Sequence, residues 1–114
     1  MATMVPRYSN VLKNIRIGIS VEALMELSFR NLERIVRGFA NHRRIQVLEL
    51  LAARPELDLA AVARAAGMNY KTASEHLRRL AIAGLVLKKA KGTHVLHAIS
   101  PRGRAVLKFL RTLE

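Results

Sequence analysis

The residues of this chain best suited to chemistry fall within one stretch, "GMNYKTASEHLRRLAIAGLV", residues 67–86. Tyr70, Lys71, Ser74, Glu75 and Arg78 are spaced so that a helix would carry them along one edge. That set can exchange hydrogen bonds with the edges of base pairs. Arg or Lys donates to guanine, Glu accepts from cytosine, and hydroxyls do either. Asn69 and Thr72 stand at the helix start, where open peptide N–H groups suit a phosphate. A plainer reading exists: Lys71, Glu75, Arg78 and Arg79 also fit i,i+3 and i,i+4 pairs on a solvated face, each worth about 0.2–0.5 kcal/mol. The next segment favours the first reading, because Lys88, Lys89, Lys91, Thr93 and His94 crowd into seven residues around Gly92.

A base-reading helix must be held at a fixed angle, and the flanking sequence provides for that. Asp58 caps a short helix, "LAAVARAA", which Gly67 ends. Asn69 then opens a second helix reaching about Ala83. Short helix, glycine-containing turn and longer helix make a helix-turn-helix unit. Ala73, Leu77 and Leu80, at steps of four and three, give the second helix its core face, with Ala73 small where the two helices approach.

Upstream, Ser20 caps a long helix to about Ala40, roughly 30 Å by its length. Met25, Phe29, Leu32, Val36 and Phe39 form its apolar stripe, with Leu24 and Ile35 alongside. So long a stripe in so short a chain suggests packing against a second copy. Asn41 caps "HRRIQVLELLAA", which Pro55 closes. "LVLKKA" and "HVLHAIS" read as two strands joined around Lys91 and Gly92, and Pro101 starts a last helix bearing Val106, Leu110 and Leu113. Before Ser20, Ile15, Ile17 and Ile19 alternate with Arg16, Gly18 and Ser20, which favours a short strand.

Composition narrows the classes. With 114 residues the chain suits one domain with a core, and its +12 formal charge calls for an anionic partner. Aromatic residues are few, against a stacking platform for single strands. The absence of cysteine excludes disulfides, thiolate metal sites and thiol redox sensing. Charge is also divided along the chain. In residues 85–114, Lys88, Lys89, Lys91, Arg102, Arg104, Lys108 and Arg111 stand against Glu114 alone, whereas residues 22–40 balance. A DNA-facing side and a self-associating side would look like this. The cations of the last helix need no such role, since cations near a helix end are ordinary.

Catalysis and metal binding find little support. The eight carboxylates sit mostly on polar helix faces, as Glu22, Glu26 and Arg30 illustrate, and no Gly-rich phosphate loop occurs. His94 and His97 would point to opposite faces of a strand, His76 reads as a packing residue, and His42 has no carboxylate beside it. No cofactor and no metal are expected. No run is long or apolar enough for a membrane span or signal peptide, so the expected setting is cytoplasmic and nucleoid-associated.

"NHRRIQVLELL", "LAAVARAAGMNYKTASEHLRRLAIAGLV", the lysine-rich hairpin and "ISPRGRAVL" together resemble the winged helix-turn-helix transcription regulators, over about residues 41–110. The closest resemblance is to the ArsR-like group, with a MarR-like flavour in "ISPRGRAVL". It implies a mainly α fold with a small β-hairpin (α+β). An N-terminal arm would cover residues 1–20 and a winged domain residues 21–114. Within the domain the helix-turn-helix would span 58–83, the wing 85–99, and the dimerisation helices 21–40 and 102–113.

By position, the resemblance makes Gly67 the turn residue, Tyr70, Lys71, Thr72, Ser74, Glu75 and Arg78 groove-facing, and Leu77, Leu80 and Leu85 core. Arg44 matches an arginine usual at the start of the preceding helix. The resemblance also implies a dimer through the first and last helices, with Met25, Phe29, Leu32, Val36, Val106, Leu110 and Leu113 at the interface. Metal-sensing members carry cysteine pairs, or Asp/His sets on the last helix, and this chain has neither.

The resulting expectation is a homodimeric regulator that prefers certain double-stranded DNA sequences. Tyr70, Lys71, Ser74, Glu75 and Arg78 would choose bases, while Lys88, Lys89, Lys91, Arg43 and Arg44 would hold phosphates. The rivals are a winged-helix module that docks on protein and an architectural DNA binder without sequence choice.

Overall fold

The computed structural model describes residues 20–114. The described residues fall into two units, residues 20–33 and Arg34–Glu114. Among the described residues the order is α1 (Val21–Phe39), α2 (His42–Ala53), β1 (Leu57–Asp58), α3 (Leu59–Ala66), α4 (Tyr70–Ile82), β2 (Val86–Lys91), β3 (His94–Ile99) and α5 (Pro101–Arg111). The isoleucine alternation before Ser20, expected as a strand, lies outside the described residues.

In the first unit, the opening turns of α1 start as the sequence dictates. Ser20 Oγ accepts the Ala23 N–H at 3.2 Å, and Glu22 sits where the helix dipole favours an anion. Arg30 reaches Glu26 at 3.4 Å, an exposed pair of little energetic consequence. Phe29 and Leu32 are exposed, Leu32 by 54%, while Met25 is half-buried.

In the second unit, each helix begins on a side-chain cap at the position the sequence advertises. Asn41 accepts the Arg43 and Arg44 N–H groups, Asp58 that of Ala61, Asn69 that of Thr72, and Ser100 that of Gly103. Each cap contributes about 1 kcal/mol relative to alanine. Gly67 ends α3 at φ 65°, a left-handed conformation that a side chain resists, and so fixes the turn between α3 and α4.

The core of this unit gathers one face from every helix. Leu48 and Leu51 of α2, Leu77 and Leu80 of α4, and Leu85 after it are fully buried. Burying each contributes about 1.5–3 kcal/mol relative to exposure. Phe39 and the half-buried Ile35, at the end of α1, join this cluster.

The hairpin differs from expectation in two details. Lys91 still pairs with His94, so the turn residues are Gly92 and Thr93 rather than Lys91 and Gly92. The hairpin is also not alone. β1 pairs antiparallel with β3, Leu57 opposite His97 and Asp58 opposite Leu96, giving a three-stranded sheet in the order β1-β3-β2. Two residues carry no readable period, so β1 escaped the sequence reading. It follows Glu56, whose φ of 65° turns the chain into the strand.

Candidate nucleic-acid interface

Helix α4 presents the expected edge. Tyr70, Lys71, Thr72, Ser74, Glu75 and Arg78 are all exposed, Tyr70 by 60%, while Ala73, Leu77 and Leu80 are buried on the other side. Asn69, spent on its capping bond to Thr72, is exposed as well.

Two of the polar groups of this edge, Glu75 and Arg78, are already engaged with each other. Arg78 donates to both oxygens of Glu75, Nε to Oε2 at 2.9 Å and Nη2 to Oε1 at 2.8 Å. Arg79 Nε donates to the same Oε1 at 3.0 Å. Hydrogen bonds from Arg78 and then Arg79 hold the Glu75 carboxyl down to about 2, and the pairing raises Arg78 in turn. The sequence shows that these pairs are geometrically available. It does not show that one carboxylate binds two guanidiniums.

Beside α4 stands the wing, β2 and β3. Lys88, Lys89, Lys91, Thr93 and His94 are all exposed on it. Lys89 reaches Glu56 at 3.3 Å, and His94 Nδ1 lies 3.7 Å from Asp58 Oδ2. Between wing and helix runs a cleft of about 440 Å³, lined by Tyr70 and Ser74 from α4 and by Lys88, Thr93 and His94 from the wing. Tyr70 and Ser74, four residues apart, therefore face the wing as well as solvent.

Arg43 and Arg44, expected on phosphates, make hydrogen bonds within the chain. Arg43 Nη2 donates to the carbonyl of Ala66 at 3.1 Å and of Gly67 at 3.4 Å, while Nη1 takes Gln46 Oε1 at 2.9 Å. Arg43 thus braces the turn between α3 and α4. Arg44 Nη2 donates to the Arg37 carbonyl at 3.3 Å, near the end of α1, and its Nε is buried without a partner among the described residues. Burial, then Arg79, lower the Arg44 pKa. The partner carbonyls of Arg43 lie some twenty residues away in sequence, which is why a spacing argument missed this role.

Among the apolar residues expected at an interface between copies, Val36 and Leu113 are exposed, the latter by 67%, and Leu110 packs partly on the core. Val106 differs. It is buried in its own chain's core at 9% exposure, on the side of α5 that also carries the buried Gly103 and Leu107 and packs on α2 and β3. Phe109, not singled out from the sequence, is an exposed apolar residue on α5.

Two histidines are buried enough to titrate abnormally. His97, 5% exposed, places Nδ1 3.1 Å from the Leu57 carbonyl, and burial is the main cause lowering its pKa. His76, half-buried, is lowered by burial and then by Arg44 and Arg43. Below about pH 6.5 the unfolded chain binds these protons more readily than the folded one. The stability due to the neutral rings is therefore complete above that pH. It declines as pH falls through the lowered folded values. The urea midpoint should drop between pH 7 and pH 5, and less steeply in His97→Gln; equal slopes would exclude His97 as a source.

Comparisons with known proteins agree with this geometry. The sequence pattern of the bacterial regulatory protein arsR family matches residues 41–88. An HTH-type transcriptional regulator of Mycobacterium tuberculosis is 42% identical over 67 residues, which span 59% of this chain and 29% of that protein. Among solved structures, the homodimeric winged helix-turn-helix DNA-binding domain of a possible ArsR-family transcriptional regulator from Mycobacterium bovis is 31% identical. That comparison covers 99% of this chain and 88% of the other, with a TM-score of 0.64. NolR from Sinorhizobium fredii, at 21% identity, shares the fold with a TM-score of 0.70 over 85% of this chain and 95% of its own. Similarity of this extent, laid over a capped helix-turn-helix and a lysine-bearing wing, places the chain in the ArsR family of bacterial regulatory proteins.

Proposed function

We propose that this chain binds double-stranded DNA as a homodimer, prefers certain sequences, and regulates transcription. One observation carries the reading: α4 exposes a Tyr70–Lys71–Ser74–Glu75–Arg78 edge alongside a wing that exposes Lys88, Lys89 and Lys91. Helix α4 enters a major groove and its edge chooses bases, while the wing follows the sugar-phosphate backbone or the adjacent minor groove. Arg43 supports this by holding the turn that sets the angle of α4.

Pairing of two copies is supported by the exposed apolar residues Phe29, Leu32 and Val36 on α1, Phe109 on α5 and Leu113 just beyond its end. The homodimeric relative from Mycobacterium bovis points the same way. Two copies reading one face of a duplex lie one helical turn apart, about 34 Å, so the preferred site is an imperfect palindrome. Selecting bound duplexes from a random pool tests this. A bounded palindromic consensus is expected, and uniform recovery of all sequences would remove the sequence preference.

The wing makes a separate, quantitative prediction. Lys91→Gln removes one backbone cation and should weaken binding on every duplex alike. The plot of log affinity against log salt should flatten by about one unit. A loss confined to the selected site would mean that Lys91 reads bases instead.

A further inference from the structure

On the reading of a DNA-binding homodimer given above, we propose that Arg102, Ser100 and Gly38 are positioning residues. They tie the end of α4, at Ala83 and Gly84, to the two helices that carry the pairing surface. In this way they fix the spacing at which two copies accept their half-sites.

The last carbonyls of a helix have no partner within it and must find one elsewhere. At the end of α4 they find α5. Arg102 Nη1 donates to the Ala83 carbonyl at 3.1 Å, and Ser100 Oγ donates to the Gly84 carbonyl at 2.6 Å. A cation at this end also suits the helix dipole. Ser100 is 3% exposed, and its Oγ accepts the Gly103 N–H at 3.0 Å. One hydroxyl thus closes the α4 segment and opens α5. Gly84 turns the chain toward β2 at φ 75°, and the Arg102 guanidinium takes the space a side chain would need, since an added Cβ would lie 2.6 Å from Nη1.

Helix α1 reaches the same junction. Gly38 is buried near its end, and an added Cβ there would overlap the Cβ of Ala83, itself a buried residue. The lack of a side chain at Gly38 is what lets α1 come this close. Both helices also carry exposed apolar residues of the pairing surface. Val36 stands two positions before Gly38, and Phe109 seven positions after Arg102.

The opposite end of α4 is held independently, by Arg43 on the carbonyls of Ala66 and Gly67. A rod held at one end pivots, and a rod held at both does not. With 13 residues α4 is about 20 Å long, so a tilt of about 10° would swing its far end by about 3 Å, close to one base-pair step. Loss of the Arg102 bond therefore leaves the core in place and loosens the angle of α4. The distance between the two reading helices of a dimer loosens with it.

The test compares the full chain with Arg102→Met, Arg102→Lys and Arg104→Met. Each binds the palindromic duplex selected from a random pool, and copies with one base pair added or removed between its halves. For the parent, either change of spacing should weaken binding about thirtyfold. Arg102→Met, which keeps the stem and loses the donors, should reduce that penalty to about threefold, with Arg102→Lys in between. Arg104→Met removes the same charge from another side of α5, so it should keep the parent's penalty. Urea midpoints and sedimentation, expected to match the parent's, separate positioning from stability and pairing. If Arg102→Met is too unstable to assay, Arg102→Lys decides. Residual dipolar couplings of the α4 amides, measured without DNA against those of α2, read the angle directly. They should change in Arg102→Met and not in Arg104→Met.

A spacing penalty as steep in Arg102→Met as in the parent, or α4 couplings that it leaves unchanged, overturns the positioning role. A parent that selects a palindrome yet ignores its spacing overturns it too. If the random pool yields no preferred duplex while the couplings still change, the DNA reading fails and Arg102 remains the residue that sets the angle of α4.

Discussion

Arg78→Ala should weaken binding to a selected duplex by about 1–3 kcal/mol and change binding to random duplex far less. The reason lies in what Arg78 does before DNA arrives. Its guanidinium makes two bonds to Glu75, at 2.9 and 2.8 Å, so it is held in a bidentate geometry rather than swinging free. A guanine edge offers the same pair of acceptors, and only a site that offers it replaces what Arg78 gives up.

Phosphates of random sequence attract the charge without matching the fork, and Glu75 repels them. Glu75→Gln is the companion variant. Without the carboxylate, Arg78 and Arg79 are both released, so affinity for random duplex should rise and the ratio between selected and random duplex should shrink. Titrations of the two duplexes with each variant measure these ratios. Equal losses on both duplexes for Arg78→Ala would remove it from the base-reading set. An unchanged ratio for Glu75→Gln would make the triad a plain surface ion pair.

Gly103→Val should destabilise the fold by about 1–3 kcal/mol or more, seen as a lower urea midpoint with an unchanged slope. Gly103 lies in the first turn of α5 at a buried position, and a Cβ there would meet the Leu85 carbonyl oxygen and lie 2.7 Å from Ile99 Cγ1. Backbone cannot yield as a flexible side-chain end can, so α5 would have to lift from the sheet. Gly67→Ala gives the contrast. Nothing lies within 4 Å of its added Cβ, and the cost comes only from φ 65°, about 1–2 kcal/mol. A Gly103→Val protein as stable as the parent would show that α5 is not seated as described.

Much of this could be read from residue order, and the misses share a cause. Asn41, Asp58 and Asn69 announce their helices because capping is a local act, settled within three residues. The core face of α4 is legible because Ala73, Leu77 and Leu80 obey a period. By contrast, β1 is too short for any period, and its partner lies forty residues away. The bonds of Arg43 to the carbonyls of Ala66 and Gly67 likewise join residues more than twenty positions apart. Val106 is buried and Phe109 exposed because the side of α5 that turns inward is set where Gly103 packs against Leu85 and Ile99. The Glu75 triad was visible as spacing, but its occupancy follows from side-chain geometry that spacing leaves open.

The short strand β1 has a mechanical consequence. Asp58 belongs to the sheet through its pairing with Leu96 and also caps α3 through its bond to Ala61. Tension on the hairpin tip therefore does not dissipate in a loop; it is transmitted through β3 to the hinge at which the first helix of the motif begins. Amide-proton exchange would register that linkage. Immobilising the tip at Gly92 and Thr93 should slow exchange at Ala61 as well as along β3, on the far side of the sheet from the point of capture.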